Sequence, residues 1–232
     1  MLLPIEKLLR ENDVQQLRQH LEGAHAVKAK LWLDGKRTAG SLARNVKDNL
    51  QLDETSDLAR SLSQAVMQAV SQHPLFISAT LPEKFYPPRF NCYQGGGSYG
   101  LHIDSSIMKR DDGETVRTDV SGTLFLSDAD EYDGGELAIE TAFGAQEIKL
   151  NAGDLILYPS TSMHEVRPVT RGKRFAAFFW IQSLVSDSTK REQLFELDQS
   201  IQVLTVDRGP EDQEVRRLSG LYHNLMRQWA MP

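Results

Sequence analysis

The feature that most constrains the fold is a series of short apolar segments in the middle of the chain, over residues 84–183. Polar or glycine-containing turns separate these segments, as at Gly134-Gly135 and 151–153. We expect strands at 90–93, 122–127, 136–140, 147–150, 154–159 and 174–182. Many short strands at this spacing are typical of a barrel or a double-sheet jelly roll.

The N-terminal flank has the apolar periodicity of amphipathic helices. Apolar residues recur every three or four positions over 4–21 and again over 55–72, and Asp53 and Thr55 are candidate caps for the second helix. Between them, residues 26–40 are typical of a strand that ends in a turn at Asp34-Gly35. We expect both helices to cover one face of a sheet.

The C-terminal flank, residues 184–232, carries two apolar stripes separated by a turn near Gly209-Pro210, which predicts a helical hairpin. The fold class expected is therefore α+β. A jelly-roll core over 84–183 would follow a supporting region of helix and strand over 1–83. The apolar face of the hairpin would pack either on its own core or on a second subunit, so a homo-oligomer formed through these helices is one expectation.

Charge and cysteine content exclude several classes of function. The net charge is −6 and the isoelectric point about 5.5, which predicts neither a nucleic-acid nor an anionic-membrane partner.

Charges at Glu6, Lys7 and Arg10 interrupt the apolar N-terminus, so we expect no signal peptide, and no segment approaches the roughly 18 apolar residues of a membrane span. The one cysteine, Cys92, can form neither an internal disulfide nor a thiolate metal cluster. We expect a cytoplasmic protein.

A candidate metal site begins at His102-Ile103-Asp104, which follows the glycine-rich turn YQGGGSYG. On a strand, residues two apart point to the same face, so His102 and Asp104 can bind one metal. His164, at the start of a later strand, is the leading third ligand. Two imidazoles and one carboxylate are the facial triad of non-haem iron(II) oxygenases. The remaining histidines have no partner at ligand spacing; they are His20, His25, His73 and His223.

Arg174 opens the most apolar strand in the chain, ten residues after His164. Alternation puts it on the same face as Phe178 and Trp180, so it faces the interior, where a guanidinium requires an anion. The distal carboxylate of 2-oxoglutarate would serve. Tyr93 is the second candidate for binding this cosubstrate, whereas a functional and a core role are equally open for Tyr99.

Several long blocks resemble the bacterial PKHD-type hydroxylases of the iron-uptake-associated PiuC/YbiX-like group. They are FNCYQGGGSYGLHID, TLFLSDADEYDGGEL, LNAGDLILYPSTSMHEVRPVTRGKR, FFWIQS and the C-terminal LFELDQSI and LYHNLMRQW. The resemblance covers nearly the whole chain. It implies a double-stranded β-helix, iron(II) on His102, Asp104 and His164, 2-oxoglutarate on Arg174, and ascorbate as a reductant. The implied activity is hydroxylation of a small-molecule or peptidyl substrate by O2, with release of succinate and CO2.

One departure from the wider hydroxylase pattern concerns the strand GTLFLS. Animal prolyl hydroxylases usually place a tyrosine there, and this strand has none, which leaves Thr123 or Ser121 as substitutes. The prolyl specificity therefore does not carry over, and the substrate stays open. The charged segment 105–119 is equally open as a substrate-recognition lid or a surface loop.

Two other functions use the same residues. A non-catalytic iron or 2-oxoglutarate sensor would bind both ligands without turnover. A cupin-type metal enzyme would use more histidine ligands and would not need an arginine ten residues after the last one.

Overall fold

A computed structural model describes residues 1–27, 31–38 and 43–231. Its largest element is an antiparallel sheet of seven strands in the order β1-β13-β9-β16-β5-β4-β2. In that order the strands are Leu3–Ile5, Leu155–Pro159, Val120–Phe125, Lys173–Ser183, Pro82–Gln94, Leu50–Leu52 and Trp32–Asp34. The two longest strands, β16 and β5, lie side by side at its centre.

A second antiparallel sheet has five strands in the order β12-β11-β14-β6-β3. In that order they are Gly144–Ile148, Leu137–Thr141, His164–Val166, Ser98–His102 and Lys47–Asp48. Two strand pairs complete the β structure. They are β10 with β15, Asp133–Gly134 and Val169–Arg171, and β7 with β8, Ile107–Lys109 and Thr115–Arg117.

In the described part of the chain, five α-helices flank this β-rich core. They are α1 Glu11–Val27, α2 Asp57–Gln72, α3 Pro74–Thr80, α4 Ser188–Arg208 and α5 Gln213–Trp229. Leu21 of α1 and Val66 of α2 are fully buried in one apolar cluster with sheet residues such as Phe179. Helices α4 and α5 contact each other, and Leu194 is buried among side chains of α5. No helix in the described ranges combines the length and apolar character needed to cross a bilayer.

The N-terminus differs from its predicted helix over 4–21. Residues Leu3–Ile5 form strand β1 at the edge of the seven-stranded sheet, and α1 starts only at Glu11. Pro4 explains part of this, because proline is tolerated at a sheet edge but interrupts a helix interior. After the strand, the backbone N–H of Lys7 donates to Asp154 Oδ1 at 2.8 Å, which ties this end to the core.

Other boundaries also shift. Strand β5 begins at Pro82 and is much longer than the predicted 90–93, and α3 was not predicted. Helix α2 is capped by Ser56, whose hydroxyl accepts the N–H of Ala59, rather than by Asp53 or Thr55. The strand predicted within 26–40 is β2, followed by a short 3-10 turn, while 28–30 and 39–40 lie outside the described residues.

The segment 105–119, for which a lid and a surface loop were equally open, contains the hairpin β7–β8. Its Val116 is buried against Tyr86 and Trp180 of the seven-stranded sheet. The hydroxyl of Thr118 donates to the carbonyl of Ser105 at 2.7 Å, which closes the base of the hairpin. The segment therefore contains regular structure and is anchored to the seven-stranded sheet through Val116.

Candidate active site

A cavity of about 410 Å³ is lined by residues of both larger sheets. The five-stranded sheet contributes His102 and His164, and the seven-stranded sheet contributes Tyr93 and Arg174. A volume of this size lies within the usual range for small-molecule sites. The residues predicted from sequence to bind metal and cosubstrate thus line one cavity.

The three predicted metal ligands lie together. His102 ends β6 and pairs across the sheet with His164, which begins β14. Alternation predicted that Asp104 would lie on the same strand as His102. Instead, Asp104 lies two residues beyond the end of β6. One ligand atom from each residue lies within 4.8 Å of the others, and His164 Nε2 is 3.9 Å from Asp104 Oδ1. Among the described residues this is the one such cluster of His, Cys, Asp and Glu found.

Backbone carbonyls set the tautomers of both histidines. His102 Nδ1 lies 2.8 Å from the carbonyl oxygen of Gly100, and His164 Nδ1 lies 3.0 Å from that of Ser162. A carbonyl oxygen can only accept, so each Nδ1 carries the proton and each Nε2 keeps its lone pair. Both imidazoles are therefore oriented as metal ligands.

The carboxylate of Asp104 is oriented by two serines. Ser121 Oγ of β9 donates to Asp104 Oδ2 at 2.6 Å. Since that proton is used, Ser121 must accept the hydrogen bond from Ser160, whose Oγ is 2.7 Å away. This chain leaves Asp104 Oδ1, the oxygen nearer to His164, to face the cluster.

Burial keeps His102 neutral. Desolvation lowers the pKa of His102 well below its usual value, and the neighbouring His164 acts in the same direction. The ring of Tyr99 stacks on the imidazole, with centroids 3.6 Å apart and planes 16° from parallel. Tyr99, on β6 of the five-stranded sheet, therefore contacts a predicted ligand directly.

Arg174 lies at a second position in the cavity with only 1% of its surface exposed. Its guanidinium carbon is 5.5 Å from the ring centroid of Tyr93 and 5.0 Å from that of Phe125. Among the residues that the structure describes, its Nε and Nη2 have no hydrogen-bond partner. Buried N–H groups of a cation are costly without acceptors, so this position fits the carboxylate of a bound ligand.

Two tyrosines near Arg174 were missed in the sequence. Tyr158 of β13 is buried and lines the cavity, and burial raises its pKa while Thr123 and Arg174 lower it. Tyr132 is also buried beside Arg174, and burial raises its pKa. Of the two predicted substitutes for a missing tyrosine, Ser121 instead bonds to Asp104, and Thr123 lies beside Tyr158. Tyr158 itself lies on β13, the strand paired with β9.

This arrangement fits the metal and cosubstrate expected from the sequence. Two imidazoles and a carboxylate can bind iron(II) while leaving open positions. The buried guanidinium of Arg174, in the same cavity, suits the far carboxylate of a dicarboxylic 2-oxoacid.

Comparison with known proteins agrees with this chemistry. A family model described as 2OG-Fe(II) oxygenase superfamily matches residues 88–182, and one described as PKHD-type hydroxylase C-terminal domain matches 188–230. A PKHD-type hydroxylase of Teredinibacter turnerae is 56% identical over 230 residues, covering 99% of each chain. PKHD-type hydroxylase PiuC of Pseudomonas aeruginosa is 51% identical over 231 residues, again covering 99% of each chain.

Solved structures are more distant and show a similar fold. A Trichoplax adhaerens prolyl hydroxylase, in complex with a hypoxia inducible factor oxygen degradation domain peptide fragment, has a TM-score of 0.56. It is 20% identical, and the match covers 83% of this chain and 86% of that one. Sheet-rich core and flanking helices are common to both. Taken with the full-length relatives, these findings show that the chain belongs to the PKHD-type hydroxylases and is an iron(II)- and 2-oxoglutarate-dependent oxygenase.

Proposed function

We propose that His102, Asp104 and His164 bind the iron(II), and that Arg174 with Tyr93 binds the distal carboxylate of 2-oxoglutarate. The observation that carries this assignment is the buried, unpartnered Nε and Nη2 of Arg174, among the described residues, in the cavity that also holds the ligand cluster. The core that holds them is a double-stranded β-helix, formed by the two facing sheets.

When bound, iron(II) supplies dioxygen activation and 2-oxoglutarate supplies electrons, ending as succinate and CO2. The chain orients the ligands. Carbonyl oxygens hold Nδ1 of both histidines, and the serine pair holds one oxygen of Asp104. Because only three protein ligands converge, positions stay open for cosubstrate and dioxygen.

The residues around Arg174 exclude water from its end of the cavity. Tyr93 and Phe125 are almost fully buried and both rings lie near the guanidinium. Burial raises the pKa of Tyr93 to about 12, so its hydroxyl stays protonated and can donate to a carboxylate. Burial also keeps Tyr158 protonated, and its ring packs edge-on against His164 with the centroids 5.1 Å apart.

The reaction we propose is hydroxylation of a small-molecule or peptidyl substrate, with release of succinate and CO2. Ascorbate would serve as reductant for enzyme that has lost its iron(II) state. The hairpin β7–β8, whose Met108 lines the cavity, would contact the substrate as a lid. A cytoplasmic location, the domain division at 83 and 183, and a homo-oligomer through α4 and α5 remain predictions from sequence.

A turnover assay separates this proposal from the sensor alternative. Purified protein with iron(II), ascorbate and 2-oxoglutarate would be assayed for succinate against a metabolite and peptide panel, with Asp104→Ala as the blank. We expect succinate formation in the wild type that exceeds the blank and rises with at least one panel member. Binding of 2-oxoglutarate with no succinate above the blank, with or without the panel, would instead support a sensor.

A further inference from the structure

We propose that Lys47, Gln51 and Asn91 form a subsite for an amino-acid-like group of the substrate, a carboxylate with a neighbouring N–H. The proposal rests on the function proposed above and narrows its substrate class. All three side chains line the same cavity as the metal ligands and Arg174, and none is more than 7% exposed.

This subsite is separate from the 2-oxoglutarate end. The Lys47 ammonium lies 6.0 Å from the ring centroid of Phe178 and 5.2 Å from that of Tyr99. Phe178 is four residues from Arg174 along β16, which corresponds to about 13 Å of strand. Tyr99 in turn stacks on His102, so the ammonium lies beside the metal cluster rather than beside Arg174.

Lys47 has a donor to spare. Its ammonium donates to Gln51 Oε1 and to Thr38 Oγ1, each at 3.0 Å. An ammonium has three N–H groups, so one remains for a ligand. Both existing partners are neutral, and no carboxylate of the described residues lies within 4 Å of the ammonium.

The other cation at this end is already neutralised. Arg89 lines the cavity and forms an ion pair with Glu54. Lys47 is left as a buried charge without a counter-ion, and burial, with a contribution from Arg89, lowers its pKa to about 8. An anionic substrate group would supply the missing counter-charge, and the ammonium form still dominates at pH 7.

Asn91 would accept a hydrogen bond from the N–H beside the substrate carboxylate. It stands on β5 between Arg89 and Tyr93, at the alternation that faces the cavity, and pairs across the sheet with Gln51. Its Oδ1 is buried, and no described residue donates to it. A buried amide oxygen calls for an N–H or O–H donor from the ligand. A phosphate ester would offer mainly acceptors, so a carboxylate beside an N–H fits the pair better. Phe178 and Trp180 add an aromatic wall for the rest of the ligand.

The test compares N-acetyl-L-phenylalanine with its neutral amide, N-acetyl-L-phenylalaninamide. The full chain would first be saturated with zinc(II), which undergoes no redox change, and with 2-oxoglutarate to fill the Arg174 end. Ligand-detected NMR would then give both dissociation constants. We expect the acid to bind roughly 10- to 100-fold more tightly than the amide, as one charged hydrogen bond implies.

Variants of the subsite residues test which side chain causes the preference for the acid over the amide. Lys47→Met should remove it, Lys47→Arg should retain part of it, and Asn91→Ala should weaken both probes. Equal binding of acid and amide by the wild type, no binding of the acid at millimolar concentration, or a preference that survives Lys47→Met would each overturn the subsite.

Two controls keep this outcome separate from the proposed function. Lys47→Met should bind zinc(II) and 2-oxoglutarate as the wild type does, which also shows that it is folded. If the wild type itself fails to bind 2-oxoglutarate, the function proposed above fails, and the probe comparison can still be made without metal and cosubstrate.

Discussion

Ser121 and Ser160 show how single residues outside the metal-ligand motif orient it. Ser121 lies on β9 of the seven-stranded sheet and bonds to Asp104, which follows β6 of the other sheet. Both serines are nearly fully buried, so solvent cannot replace their hydrogen bonds. Groups that support a metal ligand in this way usually affect metal affinity almost as the ligands do.

Ser121→Ala should therefore weaken metal binding. We expect the dissociation constant for iron(II), measured anaerobically, to rise about 10- to 100-fold, because Asp104 loses the donor that orients it. Ser162→Ala is the matched control, since His164 Nδ1 bonds to the backbone carbonyl of Ser162, which alanine retains. An unchanged affinity in Ser121→Ala would show that Asp104 is oriented without this hydrogen bond.

Cys92 should be chemically inert in the folded protein. It is fully buried on β5, and burial raises its pKa to about 12. Because only the thiolate reacts, the rate of alkylation by iodoacetamide near pH 8 should be about a thousandfold lower than that of a free cysteine. This rate should keep rising with pH up to 10. In urea, the alkylation rate of the same thiol should level off just above its ordinary pKa of about 8.5. A plateau at pH 8–9 in the folded protein would disprove the expectation.

At the level of elements, α2 depends on its cap at Ser56, whereas the sequence pattern had suggested Asp53 or Thr55. The Ser56 hydroxyl accepts the N–H of Ala59 and donates to the carbonyl of Asp53 at 2.6 Å. Thr55, a predicted cap, instead donates to the exposed carboxylate of Asp53. One face of α2, with Leu62, Val66 and Val70, packs on the seven-stranded sheet.

Ser56→Ala should lower the free energy of unfolding by about 0.5–2 kcal/mol, the usual cost of removing a helix cap. Thr55→Ala, one residue away, should change it by less than about 0.5 kcal/mol, as expected for an exposed side chain. Urea unfolding with an unchanged m-value measures both. The reverse order of the two effects would place the cap at Thr55.

Local patterns predicted four of the five described α-helices and many of the strands, but neither α3 nor how distant strands pair. Alternation placed Arg174 on the face of Phe178 and Trp180, and all three line the cavity. Tyr158 was passed over because its nearness to Arg174 depends on β13 lying beside β9, a contact made by residues far apart in sequence. Lys47 was also missed, because its strand β3 has only two residues and reaches the site by pairing with the distant strand β6.

At the scale of the whole molecule, the site requires both sheets. The proposed metal ligands lie where β6 and β14 pair in the five-stranded sheet, whereas Arg174 and Tyr93 pair within the seven-stranded sheet. The two groups share one cavity, so metal and cosubstrate should bind as a unit. Losing a ligand should abolish the joint complex, while losing Arg174 should only weaken cosubstrate binding.

The most direct test of this account is an anaerobic titration of 2-oxoglutarate into the iron(II)-loaded protein, followed by its visible charge-transfer band. The wild type should show a band that saturates, and His164→Ala should show none. Arg174→Met should reach the same band only at a 2-oxoglutarate concentration roughly 30-fold or more above that needed by the wild type, because the variant removes one partner of a buried charge pair. Arg171→Met, which removes an exposed arginine, should match the wild type. A wild type without the band, or one unchanged in His164→Ala, would contradict the assignment of His102, Asp104 and His164 as the iron ligands.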